Sequence, residues 1–78
     1  MTFHDRLNDY ILQAKCSSKE LAQASKLSEG TISRYRKGYR VPNVRGDHFA
    51  GLTKGLYGIL SKQDPDITEE EISESLKS

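Results

Sequence analysis

Apolar residues recur at helical spacing along most of the chain, and this pattern predicts an all-α protein. One set near the amino terminus falls on a single face of a first helix: Phe3, Leu7, Tyr10, Ile11 and Ala14. A second set predicts a longer helix from about residue 47 to residue 61: Phe49, Leu52, Leu56, Ile59 and Leu60. A short acidic helix over about residues 69–76 completes the pattern with three apolar residues: Ile67, Ile72 and Leu76.

Polar residues with the spacing of helix caps mark where these helices begin. A Ser or Thr followed three positions later by an acidic residue can exchange two hydrogen bonds with it across the first turn. This spacing is found at Ser17 with Glu20 and at Thr68 with Glu71, and Thr2 and Asp5 can cap the first helix. The pair at Ser17 predicts a helix that begins just after it, within a stretch that has no long apolar stripe.

Residues 18–38 predict two short helices joined by a tight turn. Their buried faces are formed by the apolar and small residues at helical spacing: Leu21, Ala22, Ser25, Ile32 and Tyr35. Leu27 is the apolar residue of the turn, and Ser28 can cap the second helix. Gly38 ends that helix, with Arg36 and Lys37 placed favourably near its negative end.

Charge is unevenly distributed, although the net charge is only +1. Residues 34–54 contain one acid, Asp47, and six cations: Arg34, Arg36, Lys37, Arg40, Arg45 and Lys54. Residues 55–78 contain two cations, Lys62 and Lys77, and six acids: Asp64, Asp66, Glu69, Glu70, Glu71 and Glu74. A basic middle and an acidic end predict a polarised molecule whose basic part lies on the second short helix and beyond it.

Length and composition exclude several classes of protein. Seventy-eight residues predict a single domain over 1–78 with its core at about 3–60, and the single cysteine excludes an internal disulfide. Neither a signal peptide nor a membrane span is predicted, so a cytoplasmic location is expected. Cys16 is predicted to be a buried, inert thiol, and His4 and His48 are isolated, so no metal or other cofactor is expected. The sequence offers no nucleophile–base pair and predicts no enzyme.

These segments resemble the lambda-repressor-like, Xre-type helix-turn-helix family over roughly residues 3–60. The matching positions are Leu21 and Ala22, Leu27 and Ser28, Thr31 to Arg34, and the later Gly38, Arg40 and Pro42. Lys26 departs from the family's usual Gly in the turn, and we expect the turn to differ slightly there. Ser18 departs from a Gln that commonly contacts DNA in the family.

The resemblance implies a compact five-helix fold in which the second and third helices form the helix-turn-helix unit. It implies sequence-specific binding of double-stranded DNA by a bacterial or phage-type transcriptional regulator, with the recognition helix, residues 28–37, in the major groove. One domain presents one such helix, so a homodimer that binds two half-sites is expected. The short acidic last helix is also compatible with an N-terminal module of a longer regulator, and a further domain or regulatory protein remains open.

Twelve residues are the predicted DNA contacts: Ser18, Lys19, Ser28, Glu29, Gly30, Thr31, Ser33, Arg34, Arg36, Lys37, Tyr39 and Arg40. Arg34 can bind guanine or a phosphate, and Glu29 can accept from cytosine or act by excluding wrong sequences. Gly30 leaves room for a thymine methyl group. Thr31 could donate to a phosphate or complete the first turn. The remaining cations and Tyr39 are expected at the DNA backbone.

Two other interpretations stay open on the sequence alone. The charged positions could form an ordinary solvated helix face. The chain could also be a protein-interaction module on a helix-turn-helix scaffold that has lost DNA binding. The acidic last helix, Ser18 and the glycines of the fourth helix are compatible with that second interpretation.

Overall fold

Five helices make up the regular structure of residues 2–77, the part of the chain that the computed structural model describes. They are α1 (Phe3–Ala14), α2 (Ser18–Ser25), α3 (Glu29–Arg36), α4 (Asp47–Leu60) and α5 (Glu69–Lys77). Strands are absent from these residues, and the all-α prediction is confirmed. The helix bounds agree with the sequence prediction to within about one residue.

The predicted caps begin four of the helices. At Thr2 and at Ser17, both hydrogen bonds of the capping box are present. The Ser28 hydroxyl accepts from the Thr31 amide at 3.1 Å, and the Thr68 hydroxyl accepts from the Glu71 amide at the same distance. Because capping depends only on residues within one turn, the sequence was sufficient to place these helix starts.

The hydrophobic core is built around α4, which contacts α1, α2 and α5. The buried apolar side chains come from all five helices and the residue before the last cap: Phe3, Leu7, Ile11, Ala14, Leu21, Ala22, Ile32, Tyr35, Phe49, Leu52, Leu56, Leu60, Ile67, Ile72 and Leu76. Tyr10 and Ile59, both predicted for the core, are only partly buried and pack against its edge. The core therefore follows the predicted stripes except at these margins.

Two glycines allow α2 and α4 to approach each other closely. A Cβ atom on Gly51 would lie 2.8 Å from the carbonyl oxygen of Ser25. A Cβ atom on Gly55 would lie 2.5 Å from the Ser25 hydroxyl and 3.1 Å from its amide nitrogen. The third glycine, Gly58, is exposed, and a Cβ atom there would meet no atom within 4 Å. Only the first two glycines are required by packing.

Left-handed residues end the first three helices. At the end of α3, Gly38 has φ +79°, while the Tyr39 amide donates to the Arg34 carbonyl and the Gly38 amide to the Tyr35 carbonyl. This pair of bonds is a Schellman motif. Lys15 and Lys26 occupy the same conformation after α1 and α2, with φ 55° and 60°. The turn at Lys26 therefore keeps a left-handed backbone even though a non-glycine residue pays about 1 kcal/mol for it.

The three glycines of α4 give a matched stability prediction. Gly58→Ala is expected to raise the free energy of unfolding by up to about 1 kcal/mol, because alanine favours a helix interior and the site is open. Gly51→Ala is expected to lower it by more than about 1 kcal/mol, because the new methyl group meets backbone rather than a movable side chain. Urea denaturation of both variants measures the two changes. A stabilising Gly51→Ala substitution would disprove the close approach of α2 and α4.

Candidate nucleic-acid interface

The helix α3 has one buried face and one exposed face. Ile32 and Tyr35 are almost completely buried, whereas Glu29, Gly30 and Arg34 are exposed. A Cβ atom on Gly30 would find its nearest neighbour, the Ser28 hydroxyl, only at 4.0 Å. The outer surface of the first turn is thus open, and a flat or convex partner can approach the backbone there.

The buried face of α3 is held by an aromatic contact and a hydrogen bond. The Tyr35 ring packs edge-on against Phe3 of α1, with the ring centroids 6.2 Å apart. The Tyr35 hydroxyl lies 2.6 Å from Nδ1 of His48, in the first turn of α4. A buried tyrosine needs a partner for its hydroxyl, and His48 is that partner. The prediction that Tyr35 packs in the core is confirmed, and His48, which is isolated in the sequence, is its hydrogen-bond partner.

The two hydroxyls at the start of α3 bind each other. Ser28 Oγ lies 2.8 Å from Thr31 Oγ1 and also accepts from the Thr31 amide. Thr31 thus completes the first turn of α3, and a contact from its hydroxyl to a phosphate stays a prediction. Ser28 remains exposed at the N-terminus of the helix, where the helix dipole favours negative charge.

A polar cleft between α1, α2 and α3 brings together four of the twelve predicted contact residues. Ser18, Ser33, Arg36 and Lys37 line it together with Asn8 of α1. Arg36 is half-buried there and donates hydrogen bonds to both Asn8 and Ser18. Asn8 was missed by the sequence analysis, because 28 positions separate it from Arg36 and only its place on the polar side of the α1 pattern is visible in the sequence.

The other predicted contact residues lie outside this cleft. Lys19 is exposed in the first turn of α2, and Tyr39 and Arg40 are exposed just after α3. Tyr39 has 76% of its surface exposed, the largest exposure of an aromatic side chain among the described residues. Lys19 thus lies on the helix before α3, and Tyr39 and Arg40 follow α3 directly in the chain.

The one cysteine is half-buried, which corrects the prediction that Cys16 is buried. It packs against the edge of the core, just before the cap of α2. Burial, assisted by the nearby Glu20 carboxylate, raises the pKa of the Cys16 thiol. The thiol therefore stays protonated to higher pH than a free cysteine does, as expected for an inert group.

Residues 2–77 contain neither a metal-binding cluster nor a membrane-spanning helix. No cluster of three or more His, Cys, Asp or Glu side chains is arranged to bind a metal ion. None of the five helices has the length and apolar character required to cross a bilayer.

The raised pKa of Cys16 predicts a pH dependence of thiol alkylation. The folded protein is expected to react with iodoacetamide several-fold more slowly at pH 8 than the chain unfolded in urea, because only the thiolate reacts. The rate profile of the folded protein should also rise at a higher pH than that of the unfolded chain. Because the pKa of this thiol is higher in the folded state, its contribution to the free energy of unfolding is fully present below the pKa of the unfolded chain. That contribution is lost as the pH rises through the pKa of the folded protein. Equal rates and midpoints in the two states would contradict the assignment.

Comparisons of the chain with protein-family models, with characterised proteins and with solved structures find no match. A functional assignment therefore depends on the residues of this chain: the exposed face of α3, the cations that follow it and the contacts that hold it in place.

Proposed function

We propose that this protein is a transcriptional regulator that binds double-stranded DNA at specific sequences. In this proposal α2 and α3 form a helix-turn-helix unit, and the recognition segment 28–37 enters the major groove. The observation that carries the proposal is the division of α3 into a buried apolar face and an exposed face that bears Glu29, Gly30 and Arg34. A helix held by one face and open on the other is the element that the major groove admits.

The segment between the two helices supports a helix-turn-helix unit. Only Lys26, Leu27 and Ser28 separate α2 from α3, a turn length typical of this motif. The left-handed Lys26 ends the first helix, the half-buried Leu27 packs at the corner and Ser28 caps the second helix. Each residue of the turn thus has a structural task, in agreement with the resemblance to the lambda-repressor-like family.

Charge supplies the second line of support. Arg34 on α3 and Lys37 directly after it, followed by Arg40 and Arg45, are exposed cations in one continuous part of the chain. Phosphate contacts from such residues give DNA affinity and register without reading the sequence. The acidic residues are concentrated on α5 instead, with Glu69, Glu70 and Glu71 in its first turn. The polarity of the molecule, rather than its net charge, orients it towards DNA.

Arg34 is the residue proposed to read the sequence most directly. It is exposed in the last turn of α3, and a guanidinium can donate two hydrogen bonds to one guanine. Glu29, one and a half turns earlier, would accept from a cytosine amino group or exclude other bases. We propose that two copies bind a symmetric site, with half-sites roughly 34 Å apart, because one α3 helix covers too few base pairs to bind tightly.

One observation favours a second candidate function, a protein-interaction module. Three apolar side chains are exposed in the segment after α3: Tyr39 at 76%, Val41 at 68% and Val44 at 48%. Exposed apolar side chains that form one contiguous patch are typical of surfaces that bind proteins. The two functions differ in their response to salt, because only DNA binding weakens steeply as the salt concentration rises.

A selection from a random duplex library tests the proposal. The wild-type protein is expected to enrich one two-fold symmetric sequence, and Arg34→Ala is expected to lose this enrichment while remaining folded. Lys54→Ala is the matched control, because Lys54 is an exposed cation on α4 beside Glu69 and Glu70 of α5. This control should enrich the same sequence as the wild type does.

Two results would contradict the proposal in different ways. If Arg34→Ala kept the wild-type sequence preference and affinity, Arg34 would not be the reading residue. If the folded wild-type protein bound no duplex even at low salt, DNA binding itself would be excluded, and the protein-interaction function would take its place.

A further inference from the structure

Arg36 differs from the other cations of the recognition segment because its side chain binds within the protein. Its Nε donates to Oδ1 of Asn8 at 2.8 Å, and its Nη1 donates to Oγ of Ser18 at 2.7 Å. The Asn8 amide nitrogen in turn donates to the backbone carbonyl oxygen of Arg36 at 2.9 Å. Asn8 therefore binds both the side chain and the main chain of one residue.

These three hydrogen bonds join three helices at one point. Asn8 lies in the middle of α1, Ser18 is the first residue of α2 and Arg36 is the last residue of α3. The carbonyl groups of a last helical turn have no partner within the helix, and Asn8 supplies one for the carbonyl of Arg36. Hydrogen bonds from a guanidinium are stronger than neutral ones, and its planar fork fixes the directions of both partners.

The side chain of Ser18 fits the same arrangement. Ser18 is half-buried in the cleft that Arg36 enters, and its hydroxyl lies at hydrogen-bond distance from the guanidinium. A serine is short enough to leave the cleft open to this larger group. Ser18 and Arg36, both predicted from the sequence as DNA contacts, are bound to each other.

We propose that Arg36 is a positioning residue, which sets the orientation of α3 relative to α1 and α2 through Asn8 and Ser18. This inference rests on the proposed DNA-binding function. In it Arg36 determines sequence preference without touching DNA, because the direction of α3 decides whether Arg34 and Glu29 meet base edges. Lys37 and Arg34, which are exposed, remain available for contacts to DNA.

The conservative variant Arg36→Lys separates positioning from a phosphate contact. A lysine keeps the positive charge, but it cannot form the planar fork that joins Asn8 and Ser18. We expect Arg36→Lys and Arg36→Ala alike to lower the affinity ratio between the selected site and an unrelated duplex by about tenfold or more. The dependence of affinity on salt should keep its wild-type slope in both variants, since no phosphate contact is lost.

Further variants test the two partners and exclude a purely stabilising role. Asn8→Ala and Ser18→Ala are expected to lower the same ratio, with Ser18→Ala the milder change because it removes one bond. Lys37→Ala is the matched control, and it should weaken all duplexes alike and reduce the salt slope by about one. All binding is measured well below the midpoint of thermal unfolding, so that the fraction of folded protein does not enter the ratio. If Arg36→Ala does not fold, Arg36→Lys and Ser18→Ala decide the question.

Each outcome has a distinct meaning. A wild-type affinity ratio in Arg36→Lys and Ser18→Ala would overturn the positioning role, whatever their effect on stability. A salt slope reduced by about one in Arg36→Ala but kept in Arg36→Lys would show that Arg36 binds phosphate instead. If the wild type itself selected no site, the proposed function would fail and the positioning role with it. If the wild type selected a site and the variants kept its affinity ratio, only the positioning role would fail.

Discussion

The close contact of α2 with α4 is the constraint on which the rest of the structure depends. At Gly51 and Gly55 the surface of α4 is bare backbone, and the carbonyl and hydroxyl groups of Ser25 fill the space that side chains would occupy. This contact fixes the end of α2, and the three-residue turn that follows fixes the start of α3. The orientation of the exposed face of α3 therefore depends on this contact between α2 and α4.

The opposite end of α3 is held by different forces. Tyr35 binds His48 and packs on Phe3, while Arg36 is bound by Asn8 and Ser18. Each bond joins α3 to another helix, so the eight-residue helix is restrained along its buried side. A helix this short has little stability in isolation. Its order therefore comes from tertiary contacts, and its exposed residues are not required to hold it in place.

Local rules were sufficient for the helices but not for the contacts between them. Ser17, Ser28 and Gly38 mark helix ends through hydrogen bonds that span a few residues. The spacing of residue types in the sequence is enough to predict such local bonds. The partnership of Tyr35 with His48 joins residues 13 positions apart, and that of Asn8 with Arg36 spans 28 positions. No periodicity encodes these distances, because they depend on how helices cross.

The candidate site shows the same division. Exposure of Glu29, Gly30 and Arg34 follows from the helical pattern, so the open face of α3 could be predicted. The inward direction of Arg36 could not, since an arginine in a last turn is equally favourable at the surface. Lys26 differs in kind: its residue type disfavours a left-handed backbone, yet the turn adopts one there.

The close contact between α2 and α4 also has a mechanical consequence. Ser25 Oγ is buried there and has no hydrogen-bond partner among the described residues, so steric contact dominates at this crossing. Contacts between long side chains can absorb a small displacement by changing rotamer, but backbone against backbone cannot. A force that shifts α4 is therefore transmitted to α2 with little loss, and through the short turn it reaches α3.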